Sequence, residues 1–330
     1  MRKIAISLLI FIGSLLSAST DTESPVVGIL TQELRPNGLI MRHFPDKTSF
    51  IAASYVKYLE GGGARVVPIW IGRNHSYYKN LMYKINGVLL PGGSNWFNQS
   101  NGYAEAGEHI MQLAVELNHK GRYMPVWGIC LGMEFLIYMM ANNKEHRVDC
   151  NAKNMILPIE FREDYKSSRL FGTISYDVAV AMTTENVTSH WHRFCYTEQD
   201  FRNNPLTQIW RVLSVNHDWH GSEFISTVEH VMYPFYGVQF HPEKPQFEFH
   251  KSSIPHTAAA IVSSQFFADF FVSEARKSNQ SFANESELAM MLIYNYKPEY
   301  TGILKSIYTQ QYLFSNVEMG LEVRHAHPFG

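Results

Sequence analysis

The sequence has little cysteine, no excess of basic residues and no apolar run long enough to cross a membrane. Three cysteines in 330 residues are far too few for a fold held together by a disulfide framework. A formal net charge of -2, with no long run of Lys or Arg, argues against nucleic acid as a partner. The chain also lacks an obvious linker, an internal repeat and a low-complexity tract. With 45% hydrophobic residues, it is expected to form one globular domain with a full core.

The N-terminus has the pattern of a cleaved secretory signal peptide, predicted over residues 1–19. A short cationic start precedes an apolar segment at residues 4–16, and small residues follow at 17–19. The apolar segment is shorter than the ~20 residues that a membrane-spanning helix needs, so a retained anchor is the less favoured alternative. Five N-x-S/T sequons agree with passage through the secretory pathway and predict glycosylation at Asn74, Asn98, Asn186, Asn279 and Asn284.

The odd number of cysteines leaves at least one thiol free in an oxidising compartment. Cys150 and Cys195 can form a bridge with Cys130 left over, or both can be buried free thiols. The sequence leaves these two arrangements open.

Compact apolar runs alternate with amphipathic helical segments through the first half of the chain. Such alternation predicts right-handed crossovers and a doubly wound α/β fold, a mostly parallel sheet with helices on both faces. Strand-like runs at 223–230 and 235–241 are expected to extend the same sheet, and a long helix is expected at 256–277. The other predicted strands are 25–32, 64–70, 85–93 and 124–129, and the other helices are 49–64, 102–121 and 131–142.

The segment WGICLGME places Cys130 on the bend between a strand and a helix. Gly128 and Gly132, two residues to either side, allow the backbone to approach closely at a strained turn. A helix N-terminus beside the sulfur favours thiolate, so we expect a lowered pKa and a nucleophilic role for Cys130. The alternative is a small buried thiol without chemistry.

A cysteine nucleophile that attacks a carbonyl requires donors for the developing oxyanion. The backbone N–H of Leu131 lies at the start of the helix and is one candidate. A second comes from Gly92 or Gly93, because the strand GVLLP ends there and neighbouring parallel strands end at the same edge. An ordinary glycine turn is the competing interpretation.

Among fifteen histidines, His241 in GVQFHPE is the strongest candidate for a general base. Pro242 favours extended backbone before it, and a period of two then directs His241 and Glu243 to one face. Glu243 would orient the imidazole. Lys244 follows, either as a steering charge for an anionic substrate or as a solvated lysine.

Other histidines suggest a competing zinc hydrolase. The segments HWH at 190–192 and NHDWH at 216–220, with Glu223, contain histidine and carboxylate ligands of the type that zinc uses. Their spacing does not match a helical H-E-x-x-H motif, so no metal site is predicted.

The motifs PGG, GICLGME and GVQFHPEK together resemble the class I glutamine amidotransferase-like hydrolases. SYVKYLEGGGARVVP, EFISTVEH and YKPEYTG narrow the resemblance to the gamma-glutamyl hydrolase family, also called folylpolyglutamate hydrolase or conjugase, over residues 25 to 314. By this resemblance Cys130 is the nucleophile, His241 the general acid and base, and Glu243 the third catalytic residue. It also implies substrate-binding roles for His190 and for Glu134, which stands where glutaminases carry glutamine.

The resemblance implies a secreted or lysosomal homodimer that cleaves γ-glutamyl bonds of folylpoly-γ-glutamates through a thioester. It implies neither a metal nor an organic cofactor, and no membrane contact once the signal peptide is removed. The hydrolase domain is then expected at 20–314, followed by a C-terminal tail at 315–330. Two alternatives stay open: a glutaminase-type amidotransferase domain and a secreted homologue without catalysis.

Overall fold

A computed structural model describes residues 21–318, so the predicted signal peptide and residues 319–330 of the predicted tail lie outside the described residues. The strands in chain order are β1 (Val26–Leu30), β2 (Gln32–Glu33), β3 (Lys47–Ala52), β4 (Arg65–Ile69), β5 (Gly87–Leu90), β6 (Val126–Ile129), β7 (Val148–Leu157), β8 (Glu160–Phe161), β9 (Thr188–Cys195), β10 (Trp210–His217), β11 (Glu223–His230), β12 (Phe235–Val238), β13 (Pro298–Glu299) and β14 (Gln311–Ser315). The helices are α1 (Leu39–His43), α2 (Ala53–Gly61), α3 (His75–Met82), α4 (Tyr103–His119), α5 (Leu131–Met140), α6 (Tyr176–Thr184), α7 (Glu198–Asn203), α8 (Ala258–Arg276) and α9 (Glu285–Met291). None of the helices in residues 21–318 combines the length and apolarity needed to cross a membrane.

Eight strands form the central sheet, in the order β4-β1-β5-β6-β12-β11-β10-β8. The first five are parallel, and the last three join antiparallel. Residues of α3, α4 and α5 share one hydrophobic cluster with the sheet, and residues of α2 and α8 share another. The sheet is therefore covered on both faces, which confirms the predicted doubly wound fold and the extension of the sheet by the later strands.

The central strands are short. They are fully buried because helices cover both faces of the sheet. Every residue of β1, β5, β6 and β12 is buried, as their continuous apolar sequences predict. Leu90 pairs with Gly128, and Val238 pairs with Ile129. The parallel register thus brings the segments that follow β5, β6 and β12 to one edge of the sheet.

Two smaller sheets flank this edge, one with the order β13-β14-β3-β2 and one of β7 and β9. A disulfide joins Cys150 of β7 to Cys195 of β9, with 6.0 Å between their Cα atoms, and Cys130 is free and buried. Of the two cysteine arrangements left open above, the structure therefore has the bridge.

Candidate active site

Cys130 occupies a strained bend between β6 and α5. Its backbone has φ 52° and ψ -109°, a conformation that a residue with a side chain rarely adopts. A Cβ on Gly132 would lie 2.0 Å from the carbonyl oxygen of Leu90, and one on Gly128 would lie 2.6 Å from backbone atoms of Gly132. Both glycines are required by close backbone packing, and the bend presents the Cys130 side chain at the sheet edge.

Burial raises the pKa of the Cys130 thiol, and the charge of Glu134 adds to this effect. The ammonium of Lys244 and the N–H of Leu131 act in the opposite direction. The sequence-based expectation of a lowered pKa is therefore wrong for this state, because the helix N-terminus lies in a pocket that excludes water from the sulfur. The resting site holds a neutral thiol, which needs a base to remove its proton.

His241 lies in a turn that follows β12. The backbone N–H of Lys244 donates to the His241 carbonyl at 3.3 Å, so the backbone turns here, whereas the sequence argument assumed an extended segment. His241 and Glu243 still meet, since His241 Nδ1 donates to Glu243 Oε1 at 2.8 Å. Both side chains are buried. This contact fixes the Nδ1–H tautomer and leaves Nε2 with a lone pair for a proton.

Burial lowers the pKa of His241, and the charge of Lys244 lowers it further. Glu243 partly offsets both effects, because its carboxylate stabilises the imidazolium. A neutral imidazole beside a neutral thiol is thus the resting state of the pair. In that state His241 can accept a proton from Cys130.

Cys130 and His241 converge on Gly92, which directly follows Pro91 at the end of β5. A Cβ on Gly92 would lie 2.8 Å from His241 Cε1 and 3.1 Å from Cys130 Cβ. The Gly92 N–H already donates to Tyr55 Oη at 2.9 Å. Of the two glycine N–H groups predicted as oxyanion donors, the one on Gly92 is therefore engaged. The N–H of Gly93 has no hydrogen-bond partner within residues 21–318, and Gly93 is exposed. The geometry therefore favours Gly93 over Gly92 as the free donor.

Glu134 is buried one helical turn beyond Cys130 and has two partners. Arg147 Nη1 donates to Glu134 Oε2 at 2.7 Å, and Gln239 Nε2 donates to Glu134 Oε1 at 2.9 Å. Burial raises the pKa of Glu134, while Arg147 and Gln239 hold it down. The carboxylate is fully engaged by protein groups, so its influence on a ligand passes through these partners.

Sequence reasoning missed Arg147 and Gln239. The Arg147 guanidinium lies 4.0 Å from the ring centre of Phe97 and 5.0 Å from that of Phe194. Gln239 Nε2 lies 3.9 Å from Cys130 Sγ, and Gln239 Oε1 is buried without a hydrogen-bond partner in the described part of the chain. The period of two in GVQFH was a usable signal for Gln239, since it directs Gln239 to the same side as His241. No local signal pointed to Arg147.

Lys244 is buried. Only 8% of its surface is exposed, and its charge acts on Cys130, His241 and Glu243. The Glu243 carboxylate partly offsets the ammonium, because Lys244 and Glu243 carry opposite charges. Lys244 thus places a positive charge close to His241.

His190 is fully buried on β9 and is held by side chains of the same strand. Its Nε2 lies 2.9 Å from Thr188 Oγ1, and its Nδ1 lies 3.2 Å from His192 Nε2. Burial lowers the pKa of His190 well below its usual value. The neighbouring carbonyl of Ser189 accepts from the backbone N–H of His241 at 3.0 Å, so β9 also holds the backbone at His241.

Among residues 21–318, the histidines of the zinc-hydrolase alternative form no group with metal-ligand spacing around Glu223, although His217 pairs with Glu223 between β10 and β11. His217 Nδ1 instead contacts Glu160 Oε1 at 3.1 Å, and His220 Nε2 lies 3.4 Å from Asn151 Nδ2. In the described part of the chain, the group of three side chains with metal-ligand spacing is Cys150, His192 and Cys195. The two sulfurs of that group are joined in the disulfide.

Comparison with known proteins gives consistent matches. The sequence profile of the Peptidase C26 family matches residues 25–243. Gamma-glutamyl hydrolase of Rattus norvegicus is 38% identical over 301 residues, which cover 91% of this chain and 92% of the rat protein. Gamma-glutamyl hydrolase B of Dictyostelium discoideum is 35% identical, with 93% of this chain and 88% of that protein covered.

The human gamma-glutamyl hydrolase is 36% identical over 299 residues, which cover 88% of this chain and 90% of the human protein. The family profile spans β5, β6 and β12 and ends at Glu243, so it includes the bend at Cys130 and the turn at His241. These matches extend over nearly all of the chain and show that this protein belongs to the Peptidase C26 family.

Proposed function

We propose that this protein is a cysteine hydrolase that cleaves the γ-glutamyl bonds of folylpoly-γ-glutamates. The convergence of Cys130 and His241 on Gly92, with His241 held by Glu243, is the observation that carries the proposal. The gamma-glutamyl hydrolases to which the chain is similar support the substrate class.

The first half of the reaction transfers the γ-glutamyl group to sulfur. His241 Nε2 takes the thiol proton as Cys130 Sγ attacks the γ-carbonyl carbon, which converts the neutral pair into a thiolate and an imidazolium. The amide N–H groups of Leu131 and Gly93 donate to the oxyanion of the tetrahedral intermediate. Glu243 stabilises the imidazolium while it exists.

Collapse of the intermediate breaks the carbon–nitrogen bond. The proton on His241 passes to the leaving glutamate nitrogen, and a thioester with Cys130 remains. His241 then removes a proton from water, which attacks the thioester and releases the shortened substrate. Each proton that His241 takes is returned, so the enzyme ends in its starting state.

The hydrogen bonds among Glu134, Arg147 and Gln239 contribute to substrate binding beside the Cys130 sulfur. Glu134 and Arg147 hold the Gln239 side chain in place. Gln239 Oε1 is a buried acceptor without a partner among residues 21–318, and a substrate N–H can satisfy it. We assign His190 an indirect role, because its ring nitrogens are both engaged by protein groups.

The protein is proposed to enter the secretory pathway and to function as a secreted or lysosomal homodimer. The leader pattern at 1–19 and five sequons support this route. All five sequon asparagines are exposed, as glycosylation requires: Asn74, Asn98, Asn186, Asn279 and Asn284. Endoglycosidase treatment of protein from a eukaryotic host, followed by mass spectrometry, tests each site.

The direct test is a time course of folate pentaglutamate digestion, with the products separated by chromatography. Wild-type protein is expected to shorten the chain, and Cys130→Ala and His241→Ala are each expected to lower turnover by at least about 1,000-fold. His217→Ala is the matched control, because His217 is exposed and belongs to the competing metal interpretation. Full turnover by Cys130→Ala, or ammonia release from free glutamine without pentaglutamate cleavage, would overturn the proposal.

A further inference from the structure

The Cys150–Cys195 disulfide has a third potential ligand beside it that the proposed reaction does not use. His192 Nδ1 lies 3.5 Å from Cys150 Sγ and 3.3 Å from Cys195 Sγ. All three ligand atoms lie within 4.8 Å of one another. One imidazole nitrogen therefore faces both sulfurs of the bridge.

We propose that this disulfide is a latent metal site: on reduction, Cys150, Cys195 and His192 bind one zinc-class divalent cation. Two thiolates and one imidazole are a donor set that Zn²⁺ prefers. Three protein ligands leave one coordination position for water.

The spacing of the ligand atoms fits a tetrahedral ion. Zn–S bonds of about 2.3 Å and a Zn–N bond of about 2.0 Å place sulfur and nitrogen about 3.5 Å apart at the tetrahedral angle. Both observed sulfur–nitrogen distances, 3.5 and 3.3 Å, are close to this value. Only the two sulfurs must separate, and β7 and β9 already hold the two Cα atoms 6.0 Å apart.

A dithiol reductant can supply the two electrons for the redox step. One of its thiolates attacks Cys150 Sγ, which is the more accessible sulfur because Cys150 is half-buried and Cys195 is fully buried. Two electrons pass to the bridge, which yields the Cys150 and Cys195 thiols and the cyclic disulfide of the reductant. The cation then displaces one proton from each thiol, while His192 binds as a neutral ligand.

Hydrogen-bond counting around His192 also favours a cation at Nδ1. Contacts run in series from the Phe194 carbonyl through His192, His190 and Thr188 to the Leu157 carbonyl. The series has four contacts, but two neutral imidazoles and one hydroxyl supply only three protons. A cation at His192 Nδ1 replaces the Phe194 contact and leaves three contacts for three protons. Every remaining polar atom in the series then has a partner of the right kind.

The test uses the full chain with Cys130→Ser, so that Cys150 and Cys195 are its only thiols. The protein is reduced with a phosphine, freed of reductant and titrated with Co²⁺ alone. We expect one equivalent to bind, with a thiolate-to-cobalt charge-transfer band that Zn²⁺ abolishes by displacement. His192→Gln should weaken binding at least about 100-fold, whereas His75→Gln, which changes an exposed histidine on α3, should leave it unchanged.

A second measurement does not depend on variants of the site. In the same reduced protein, Zn²⁺ is expected to slow alkylation of Cys150 and Cys195, as read by mass spectrometry. The proposal is overturned if reduction produces no cobalt band, if His192→Gln binds as tightly as its parent, or if Zn²⁺ leaves alkylation unchanged. None of these readouts depends on γ-glutamyl cleavage. Failure of the proposed metal site can therefore be distinguished from failure of the proposed function.

Discussion

At the scale of single residues, two neighbours with opposite charge adjust the pKa of His241 in opposite directions. The charge of Lys244 lowers the pKa of His241, and Glu243 raises it by its charge and by a direct hydrogen bond. Burial has the largest effect and lowers it. The net result is a base that stays neutral below the usual histidine range near pH 6.5. The acidic limb of kcat/KM is therefore expected below that pH.

Lys244→Met is expected to move this acidic limb to higher pH. Removal of the ammonium stabilises the imidazolium, so the pKa of His241 rises and the neutral base is lost at a higher pH. The pH profile of kcat/KM on a γ-glutamyl substrate measures the change. Lys79→Met removes an exposed lysine from α3 and serves as the matched control.

Glu243→Gln is expected to shift the acidic limb of kcat/KM in the opposite direction in the same assay. Without the carboxylate the pKa of His241 falls, so the acidic limb moves to lower pH, while the plateau drops because the imidazolium loses its partner. Limbs that coincide for both variants would contradict the assignment of these two charges.

At the scale of elements, the active-site bend depends on contacts between β5, β6 and the start of α5. Gly132 is the first of these contacts, because its Cα faces the carbonyl of Leu90 with no room for a methyl group. The helix must approach the sheet this closely for its N-terminus to reach Cys130. Close packing of the backbone therefore holds Cys130, the proposed nucleophile, in place.

Gly132→Ala is expected to lower the free energy of unfolding by about 2–4 kcal/mol and to reduce activity sharply. The added methyl would lie 2.0 Å from Leu90 O, so α5 or β5 must shift. Urea unfolding and kcat/KM measure the two effects.

Gly61→Ala is the control, because it adds a methyl at the end of α2 whose nearest neighbour, Gln265 Oε1, lies 3.7 Å away. It should be neutral or stabilise by up to about 1 kcal/mol, since alanine favours helix. Equal unfolding midpoints for Gly132→Ala and wild type would contradict the packing argument.

At the scale of the whole molecule, several imidazoles are buried in their neutral form. Burial lowers the pKa of His190, His192, His230 and His241. The unfolded chain takes up protons at these positions near pH 6.5, whereas the folded chain resists them until lower pH. Global stability is thus expected to fall as the pH drops from 6.5 towards 4.

His230 offers a test of this effect at a position away from Cys130. Its Nδ1 accepts from the N–H groups of Met232 and Tyr233, each at 3.0 Å, and its pKa is lowered to about 4. His230→Asn keeps an acceptor and removes the titration. The slope of unfolding free energy against pH should become shallower by up to about 1.4 kcal/mol per pH unit between pH 6.5 and 4.

His75→Asn, at an exposed position, should leave that slope as in the wild type. Chemical denaturation at several pH values gives the measurement. An unchanged slope for His230→Asn would show that His230 is protonated equally in the folded and unfolded states.

Much of the architecture and the reactive pair followed from local sequence. Continuous apolar runs and helical periodicity are short-range properties, so they predicted the order of β1, β4, β5 and β6 and the helices α2, α4 and α5. The helix α3 was not predicted, and the first residues of the helix predicted at 49–64 belong to strand β3, which pairs with the distant β14. The strand predicted at 223–230 matches β11. The strand predicted at 235–241 ends early, at Val238. The chain forms a turn from His241, in which the Lys244 N–H donates to the His241 carbonyl.

The sequence by itself determined that glycines flank a cysteine at a bend, and that a histidine with a nearby carboxylate follows a later strand. Only the tertiary structure decided the environment of these groups. Arg147 reaches Glu134 from the loop between α5 and β7, Tyr55 accepts from the Gly92 N–H, and water is excluded from the Cys130 sulfur. Exclusion of water reverses the direction of its pKa shift, since desolvation depends on every segment packed around the thiol, including Gly92 and Gln239, which lie far from Cys130 in the sequence.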